Sequence, residues 1–474
     1  MHNIFFYNSL TREREKFKPR DAGKVRIYNC GPTVYKRQHL GNMRRFLFAD
    51  FLRRSLEFFG YEVREITNIT DVGHLTQDEI DAGEDKLSKE AKLEKVTPQI
   101  LAEREIENFT ADLAALNIQP AHKYPRATAH IKQMRDLIAA LLGKKTAYIT
   151  SSGVYFDVHA FPAYGRLSGN TVADLEAGKR VDVREEKKHP ADFVLWIFDK
   201  KARQKWDSPW GVGYPGWHIE CSAMSMEYLG TDIDIHTGGE DNKFPHHENE
   251  IAQSEGATGR TFARYWLHNS HLQMDGKKLA KREGEQLTLD TLREKGYDPL
   301  AFRLFVFGSH YRTKLNFTWE ALGAAQEMLN AIKHTLQRLA DAGALDDKKE
   351  KSQAKVMDDF GKALADDLNT PEALAVWRQY LTQVNKMIDE REPVEHLATA
   401  YHALVEMGKV VGVIKPLLKT LKQEVPDMVS ALIVERNLAR ERRDFKESDR
   451  LRLEIEKMGY MVEDTPAGTK ARRQ

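Results

Sequence analysis

Residues 24–71 hold the pattern that most limits the fold of this chain. Lys24–Asn29 alternates in the way a strand does, and residues 30–33, Cys-Gly-Pro-Thr, form a loop after it. From about Asn42, apolar residues recur at three- and four-residue steps, which predicts a helix, and residues 61–70 predict a second strand. Strand, loop, helix and strand in this order predict a βαβ unit. Such a unit implies a parallel sheet that binds ligands at the carboxyl ends of its strands.

Length and composition limit the rest of the architecture. The 474 residues exceed what one hydrophobic core supports, so several domains are expected. A hydrophobic content of 41% with 30% charged residues is typical of soluble proteins, and the net charge of +1 neither requires nor excludes a nucleic-acid partner. No apolar run of about 18 residues occurs and the first residues do not form a signal peptide, so we expect a cytoplasmic protein without a membrane span.

The pattern of the chain changes along its length. Residues 77–95 are charged and are expected to form a mobile surface segment, and residues 147–158 predict a hairpin. Residues 231–236 predict another strand of the parallel sheet. Beyond about residue 320 the periodicity is helical almost throughout, and the predicted helices span residues 318–341, 352–367, 371–390, 394–413, 428–443 and 446–458. Residues 416–426 are expected to be a joint before the last module.

A second stretch, residues 245–250, carries metal-binding chemistry. His246 and Glu250 are four residues apart, so on a helix they project from one face and can supply two corners of a tetrahedral zinc site. The only two cysteines, Cys30 and Cys221, can supply the other two as thiolates. A solvated polar helix face, a disulfide or two separate buried thiols are the alternatives at this point. A disulfide would need an oxidising compartment, for which the sequence gives no signal.

Two further segments suit phosphate groups. His39-Leu40-Gly41-Asn42 lies between a predicted strand and a predicted helix, where glycine lets the backbone approach a ligand and helix N–H groups are free. A histidine that only caps the helix would look the same. Lys278 and Lys281 lie three residues apart in a basic loop and can neutralise a developing pyrophosphate charge, although a basic surface loop is the alternative.

In their order along the chain, these motifs resemble the cysteinyl-tRNA synthetases, a family of class I aminoacyl-tRNA synthetases, over essentially the whole length. The segments that carry the resemblance are Cys30-Gly31-Pro32-Thr33-Val34-Tyr35, His39-Leu40-Gly41-Asn42, Asn68-Ile69-Thr70-Asp71, Trp206-Asp207-Ser208-Pro209-Trp210-Gly211, Trp217-His218-Ile219-Glu220-Cys221-Ser222-Ala223-Met224, Gly238-Gly239-Glu240-Asp241, Phe244-Pro245-His246-His247-Glu248-Asn249-Glu250, Lys278-Leu279-Ala280-Lys281, Asp366-Asp367-Leu368-Asn369-Thr370-Pro371 and Glu463-Asp464-Thr465-Pro466-Ala467-Gly468-Thr469.

The resemblance implies a role for each matching residue. The implied zinc ligands are Cys30, Cys221, His246 and Glu250. The residues implied to act in catalysis are His39, Asn42, Lys278 and Lys281. The residues implied to bind ATP are His39, Gly41, Asn42, Gly239, Asp241 and Lys281, with Asp241 near the ribose. The residues implied to line the cysteine pocket are Gly31, Thr70, Trp217, His236 and His247, the two histidines without binding the metal.

The resemblance also implies the fold class and the domains. We expect an α/β region plus an all-α region: a Rossmann-like, doubly wound parallel sheet with an insertion, then a helical bundle and a small anticodon-recognition module. The expected limits are residues 1–125 and 205–255 for the two halves of the catalytic domain, 126–204 for the insertion, 256–319 for a linking domain with the lysine loop, 320–415 for the bundle and 416–474 for the last module.

The implied activity is that of a cysteine–tRNA ligase. Such an enzyme activates L-cysteine with ATP and Mg²⁺, then transfers it to the 3′-terminal adenosine of tRNA(Cys), at the 2′-hydroxyl in class I. One Zn²⁺ per chain selects the substrate thiol, because a hydroxyl of similar shape imitates a thiolate poorly as a metal ligand. A monomer is expected. Arg436, Arg440 and Arg443 recur at helical spacing and can face tRNA phosphates, or form a solvated face with neighbouring acids.

Three departures from the family pattern leave alternatives open. Leu279, Ala280 and Arg282 replace the usual methionine and two serines of the lysine loop. Tyr214 stands where arginine is common, and Ala471 stands where tryptophan is common. One alternative is an ATP-dependent cysteine ligase that acts on a small amino-sugar acceptor, and the other is a tRNA-binding paralogue with weakened catalysis.

Overall fold

The computed structural model describes residues 2–73, 75–77, 82–170, 186–274, 277–278, 287–345, 354–421, 427–465 and 468–473. The chain forms two compact units, Met1–Ile414 and Lys415–Gln474. The strands are β1 (Phe5–Asn8), β2 (Glu13–Lys16), β3 (Lys24–Asn29), β4 (Glu62–Thr67), β5 (Leu75–Gln77), β6 (Ala82–Asp85), β7 (Ala147–Ile149), β8 (Gly153–Phe156), β9 (Phe193–Phe198), β10 (Gly213–Pro215), β11 (Ile233–Gly239), β12 (Ala263–Asn269), β13 (Leu272–Met274), β14 (Lys277–Lys278), β15 (Leu315–Phe317), β16 (Tyr460–Thr465) and β17 (Gly468–Arg473).

The helices follow the periodicity of the sequence closely. They are α1 (Leu40–Phe58), α2 (Lys86–Leu93), α3 (Pro98–Ala115), α4 (Ile131–Gly143), α5 (Trp217–Leu229), α6 (Glu248–Thr258), α7 (Leu289–Glu294), α8 (Pro299–Phe307), α9 (Trp319–Asp341), α10 (Ala354–Ala365), α11 (Thr370–Asp389), α12 (Val394–Val411), α13 (Ile414–Leu421), α14 (Asp427–Glu441) and α15 (Phe445–Lys457). The six helices predicted beyond residue 318 are α9 to α12, α14 and α15.

A parallel sheet forms the centre of the first unit. Its strand order is β12-β11-β3-β4, and all three neighbouring pairs are parallel. Tyr28 of β3 lies opposite His236 on one side and Ile66 on the other. The predicted βαβ unit is confirmed, because α1 connects the adjacent parallel strands β3 and β4. The carboxyl ends of β3 and β11 therefore lie side by side, which is where a parallel sheet binds ligands.

The insertion contains an antiparallel sheet of order β10-β9-β8-β7. The predicted hairpin is confirmed as β7 and β8, with Tyr148 opposite Tyr155. Strand β10 ends at Pro215, so this sheet extends beyond residue 204. Its core includes Phe156 stacked on Phe193, with ring centroids 4.9 Å apart. The domain limits given above remain predictions.

Two segments differ from the prediction. Within residues 77–95, the described part includes β6 and the helix α2, which buries Leu87 and Ala91 against its surroundings, so this part is not merely a surface segment. The expected joint at residues 416–426 begins inside α13. Pro416 is the third residue of that helix, where a missing N–H group removes no intrahelical hydrogen bond. Residues 422–426 lie outside the described part.

The second unit pairs α14 and α15 with a hairpin of β16 and β17 that the sequence did not predict. Its core includes Val429, Ile455 and Val462. Arg436 is 4% exposed, and its guanidinium donates to both carboxylate oxygens of Asp464, at 2.8 and 2.9 Å. Arg440 pairs with the same carboxylate. Of the two alternatives for the three arginines, tRNA phosphates or a solvated face, neither describes Arg436, which is buried and holds the hairpin to α14.

Among the described residues, no helix is long and apolar enough to cross a membrane.

Candidate functional site

Four side chains from three separate segments meet beside the carboxyl end of β3. Cys30 directly follows β3, Cys221 lies in α5, and Glu250 lies in the first turn of α6. His246 belongs to the single turn, Lys243–His247, that leads into α6. One donor atom from each of the four residues lies within 4.8 Å of the others, and every one of these residues is buried. The sequence suggested these four residues, and the structure brings them together.

The spacing of His246 and Glu250 gives the expected geometry, although α6 itself begins two residues after His246. Phe244 has extended backbone angles, φ −139° and ψ 134°, so the helical path begins only after it. The Nε2 atom of His246 nevertheless lies 2.9 Å from Oε1 of Glu250. The Sγ atom of Cys30 lies 3.5 Å from the same carboxylate oxygen. The pair thus presents one nitrogen and one oxygen to the two sulfurs.

The charges of this cluster depend strongly on each other. Burial acts to raise the pKa of Glu250, but the positive charges and hydrogen bonds of His236 and His246 lower it to about 2. Burial and the neighbouring Cys221 raise the pKa of the Cys30 thiol well above its ordinary value. Burial would also raise the pKa of Cys221, but hydrogen bonds from Cys30 and His246 lower it to about 7. The cluster therefore combines three acidic groups in a buried site.

A second set of donors shares two members with the first. Cys30, His236, His247 and Glu250 also lie with one donor atom each within 4.8 Å of one another. His236 Nε2 lies 2.7 Å from Oε2 of Glu250, and His247 Nε2 lies 3.2 Å from Sγ of Cys30. Burial and neighbouring positive charges, first that of His236, lower the pKa of His247 well below its ordinary value, so this imidazole is neutral. Geometry alone therefore allows either set to hold an ion.

Three residues around these donors were not recognised in the sequence as part of the site. His218 places its Nδ1 atom 2.8 Å from Nδ1 of His246. His268, at the end of β12, lies 2.8 Å from Nδ1 of His247 and 2.9 Å from the hydroxyl of Ser9. Trp266 stacks on His236 with ring centroids 4.5 Å apart. The position of His268 near the end of a strand is a sequence signal for that residue alone. His218 and Trp266 gain their places from contacts between residues far apart in the chain, which local patterns do not show.

The residues expected to bind cysteine surround the same cluster. The ring of Trp217 lies 4.6 Å from the ring of His246, measured between centroids. The hydroxyl of Thr70 accepts from Asn68 at 3.1 Å and donates to the buried carboxyl group of Glu220 at 3.0 Å. A Cβ atom at position 31 would lie 1.5 Å from the carbonyl oxygen of Asn68, so only glycine fits at Gly31.

The residues expected to bind ATP lie at the start of α1 and the end of β11. His39 is the N-cap of α1, and its Nδ1 atom accepts from the backbone N–H of Asn42 at 3.2 Å. Gly41 lies in the first turn of the same helix. His39 thus caps the helix, as one alternative proposed. The start of α1 follows the loop that begins at the carboxyl end of β3. A Cβ atom at Gly239 would lie 2.4 Å from Oδ1 of Asp241, so glycine leaves room for that carboxylate.

The lysine loop is described only in part. Lys278 ends β14, whose backbone pairs with β13 at Gln273. Lys281, together with the substituted positions 279, 280 and 282, lies outside the described residues. The role of the two lysines remains a prediction.

Comparison with protein families identifies the class. The description "tRNA synthetases class I (C) catalytic domain" matches residues 16–327. The "DALR domain" matches residues 359–415, and the "Cysteinyl-tRNA ligase anticodon binding domain" matches residues 422–472. The fold is similar to that of Mycobacterium tuberculosis methionyl-tRNA synthetase in complex with methionyl-adenylate, with a TM-score of 0.58 and 14% identity over 85% of this chain and 94% of that chain. The chain is therefore a class I aminoacyl-tRNA synthetase.

Full-length relatives narrow this class to one family. The "Cysteine--tRNA ligase" of Caldicellulosiruptor saccharolyticus is 42% identical, covering 98% of this chain and 99% of the relative. Those of Thermus thermophilus and Clostridioides difficile are 41% and 39% identical, with coverage of 98% or more of both chains. The chain belongs to the cysteine–tRNA ligase family. The predicted enzyme class and fold class are thereby confirmed, and the anticodon-binding match favours tRNA over an amino sugar as acceptor.

Proposed function

We propose that Cys30, Cys221, His246 and Glu250 hold one zinc ion, and that the enzyme uses this site to select cysteine for attachment to tRNA(Cys). The donor set fits zinc, which prefers thiolate sulfur and imidazole nitrogen and accepts a carboxylate oxygen. The fit also follows from charge. Cys30, Cys221 and Glu250 are each 3% exposed or less, and buried acidic groups need a cation close by. Zinc bound there would take the substrate sulfur as a further ligand and favour its thiolate form, which serine cannot match.

The alternative set with His236 and His247 is less favourable for two reasons. It would leave the Cys221 sulfur, whose pKa is about 7, partly ionised and buried without a metal. It would also contain one thiolate in place of two, and thiolates are the ligands that favour zinc over harder cations. His218, hydrogen-bonded to Nδ1 of His246, supports the first set as the outer partner that a metal-binding imidazole requires.

The remaining residues of the pocket would orient the amino acid. Trp217 packs against His246 and would form one wall of the pocket. The hydroxyl of Thr70 donates its hydrogen bond to Glu220, so it can only accept a hydrogen bond from a ligand. An acceptor suits the ammonium group of cysteine. Gly31 would let the backbone lie against the substrate, while His236 and His247 close the site without binding the metal.

The nucleotide would lie across the ends of β3 and β11. His39, Gly41 and Asn42 at the start of α1 would hold the phosphates of ATP with Mg²⁺, because the positive end of the helix dipole attracts anions. Gly239 and Asp241 would receive the ribose. Lys278 and Lys281 would neutralise the departing pyrophosphate. These groups position the reactants and stabilise charge, so no side chain needs to act as a nucleophile.

The reaction would follow the two steps of a class I enzyme. A carboxylate oxygen of cysteine attacks the α-phosphorus of ATP, and pyrophosphate leaves with the electrons of the broken bond. The 2′-hydroxyl of the terminal adenosine then takes the acyl group and AMP leaves. The helices matched by the DALR domain and the unit matched by the anticodon-binding domain would hold the tRNA. We further propose that the enzyme acts in the cytoplasm as a monomer.

The observation that carries this proposal is the convergence of both cysteines on His246 and Glu250. The test uses the wild type, Cys221→Ser and His247→Asn. Each is analysed for zinc, for ATP–pyrophosphate exchange with cysteine and with serine in parallel, and for charging of tRNA(Cys). We expect about one zinc per chain in the wild type and in His247→Asn. In Cys221→Ser we expect loss of zinc, of most exchange activity and of discrimination against serine.

Three outcomes would contradict the proposal. Unchanged zinc content and cysteine-dependent exchange in Cys221→Ser would exclude the ligand set. Zinc loss in His247→Asn with zinc retained in Cys221→Ser would favour the second set of donors. Exchange without charging of tRNA(Cys) would revive the amino-sugar ligase.

A further inference from the structure

Helix α1 carries two neighbouring arginines in different surroundings. Arg44 is 1% exposed, and its guanidinium is fully engaged with the backbone. It donates to five carbonyl oxygens, those of Ser270, His271, His310, Tyr311 and Thr313. Arg44 therefore holds the end of β12 and the approach to β15 against α1. Its contacts explain its burial without a ligand.

Arg45 makes far fewer hydrogen bonds. In the described part of the chain, its guanidinium donates from Nη2 to the carbonyl oxygen of Gly31 at 3.1 Å and otherwise lies over the ring of Phe46, 4.8 Å from the centroid. Its Nε atom is buried and has no hydrogen-bond partner among the described residues. A guanidinium offers five N–H donors, and leaving a buried donor unpaired is costly. Unlike Arg44, Arg45 is left with donors that an incoming acceptor can use.

The position of Arg45 indicates what that acceptor is. Gly31 directly follows Cys30, so the guanidinium lies beside the proposed metal site. Burial lowers the pKa of Arg45, and the negative charges of Cys30, Asp241 and Cys221 oppose this effect. The Arg45 cation thus lies within electrostatic range of the cluster proposed to receive the thiol and of the carboxylate proposed to receive the ribose.

The order of chemical groups in cysteinyl-adenylate indicates which of them would lie near Arg45. Thiol, carboxyl group, α-phosphoryl group and ribose follow one another along the molecule. If the thiol lies at Cys30 and Cys221 and the ribose lies at Asp241, the groups between them are the carboxyl and α-phosphoryl groups. Both are oxyanions before the reaction. Arginine is well suited to such groups, because its planar fork binds two oxygens at once.

We propose that Arg45 binds the oxyanion at the junction of amino acid and nucleotide, either the carboxylate of cysteine or the α-phosphoryl oxygens of ATP. It stabilises the charge there while the bond from carboxylate oxygen to phosphorus forms and the bond from phosphorus to the pyrophosphate oxygen breaks. This inference rests on the proposed function, which orients the substrate between Cys30 and Asp241.

The experiment uses the full-length enzyme and two variants that separate charge from hydrogen bonding. Arg45→Gln keeps an N–H donor for the Gly31 carbonyl but loses the charge, and Arg45→Lys keeps the charge. For each protein, inhibition of ATP–pyrophosphate exchange is measured with two matched pairs of ligands. The KM for cysteine is compared with the inhibition constant of cysteamine, which lacks the carboxylate, to test for a contact between Arg45 and that group. AMP against adenosine tests the α-phosphoryl group.

We expect Arg45→Gln to lower kcat/KM for exchange by about 10²- to 10³-fold, the effect of removing one preorganised donor to a developing charge. It should also lower either the preference for cysteine over cysteamine or the preference for AMP over adenosine at least tenfold. The preference that falls identifies the oxyanion that Arg45 binds. Arg45→Lys should keep part of that preference. Arg53→Gln is the control, because Arg53 lies in the same helix but pairs with Glu57 and Glu65. It should lower thermal stability and change neither preference.

The inference is overturned if both preferences in Arg45→Gln stay within twofold of the wild type, since Arg45 would then only support Gly31. The same conclusion follows if Arg45→Lys loses as much as Arg45→Gln although both are folded. Zinc content, measured on the same preparations, tests the proposed function separately. A wild type without zinc whose preferences still depend on Arg45 would refute the metal site and keep the oxyanion site.

Discussion

Two fully buried charged clusters in the first unit can be compared. In one, the Asp50 carboxylate is paired with Arg303 and with Arg54, the latter at 2.7 Å, and accepts the backbone N–H of Gln119 at 2.8 Å. Arg303 also donates hydrogen bonds to the carbonyl oxygens of Val411 and Leu116. Burial would raise the pKa of Asp50, but the two arginines lower it. This cluster satisfies its own charges and hydrogen bonds.

The cluster of Cys30, Cys221, His246 and Glu250 is built differently. Two imidazoles, those of His246 and His236, pair with Glu250, and Arg45 lies within electrostatic range of Cys30, but in the described part of the chain no lysine or arginine hydrogen-bonds to the four donors. Burial is similar in the two clusters, so burial does not distinguish a structural charge from a functional one. The distinction lies in whether the chain supplies the compensating charge itself. Where it does not, an ion or a substrate is expected to supply it.

The largest expected effect tests the incomplete cluster. Treatment of the wild type with a chelator should lower cysteine-dependent exchange on the order of 10³-fold, because the proposed zinc would supply several kcal/mol of substrate stabilisation. Added zinc should restore the rate, while added magnesium should not. If metal-free enzyme kept its activity, the comparison between the clusters would fail at its central point.

The next effect tests the complete cluster. Arg303→Met leaves Asp50 buried with one cation fewer, and we expect the free energy of unfolding to fall by about 3–5 kcal/mol. Zinc content and the KM for cysteine should not change. The double variant Arg303→Met with Asp50→Leu should recover part of the loss, which denaturant unfolding of both variants measures. A changed KM in folded Arg303→Met would show that the two clusters are coupled.

The smallest effect concerns Glu65, an intermediate case. This buried acid of β4 has one arginine partner, Arg53 at 3.3 Å, and burial outweighs that partner, so its pKa is raised from 4.5 to about 7. A carboxyl group that holds its proton more tightly when folded stabilises the fold at low pH. Its contribution should fall as the pH rises from 4.5 to 7 and stay constant above that range.

Glu65→Gln checks this directly. The stability of the wild type minus that of the variant should decrease across this window by about 3 kcal/mol at most, since each pKa unit corresponds to about 1.4 kcal/mol. Unfolding free energies at several pH values measure the difference. A difference that does not vary with pH would mean that Glu65 is ionised in the fold as Asp50 is.

Most of the fold follows from local signals in the sequence. The alternation of Lys24–Asn29 and the periodicity after it predicted β3 and α1. The start of α3 is local in the same sense, because the Thr97 hydroxyl accepts from the backbone N–H of Ile100 and Pro98 follows it. The hairpin of β16 and β17 was missed because its stabilisation is tertiary. The residues of this hairpin are mostly polar, and the hairpin is held in place by the buried Val462 and by the contact between Asp464 and Arg436.

The residues of the site also divide into those with a local signal in the sequence and those without one. Cys30 and Cys221 were recognisable because they are the only cysteines, and His246 and Glu250 because their spacing is helical. His218, His268 and Arg45 were not recognised as site residues, since each acquires its role from a residue far away in the sequence. Spacing can predict which residues share one element. It cannot predict which elements meet.

The assembly of the proposed metal site from distant segments has a consequence for synthesis of the protein. Cys30 and Glu250 are 220 positions apart, and both contribute to the same cluster. At a translation rate of roughly 5–20 residues per second, the first thiol leaves the ribosome about 10 to 40 seconds before the last carboxylate. The four proposed ligands can meet only once α6 has been made, so a zinc ion held by all four would be bound late in synthesis.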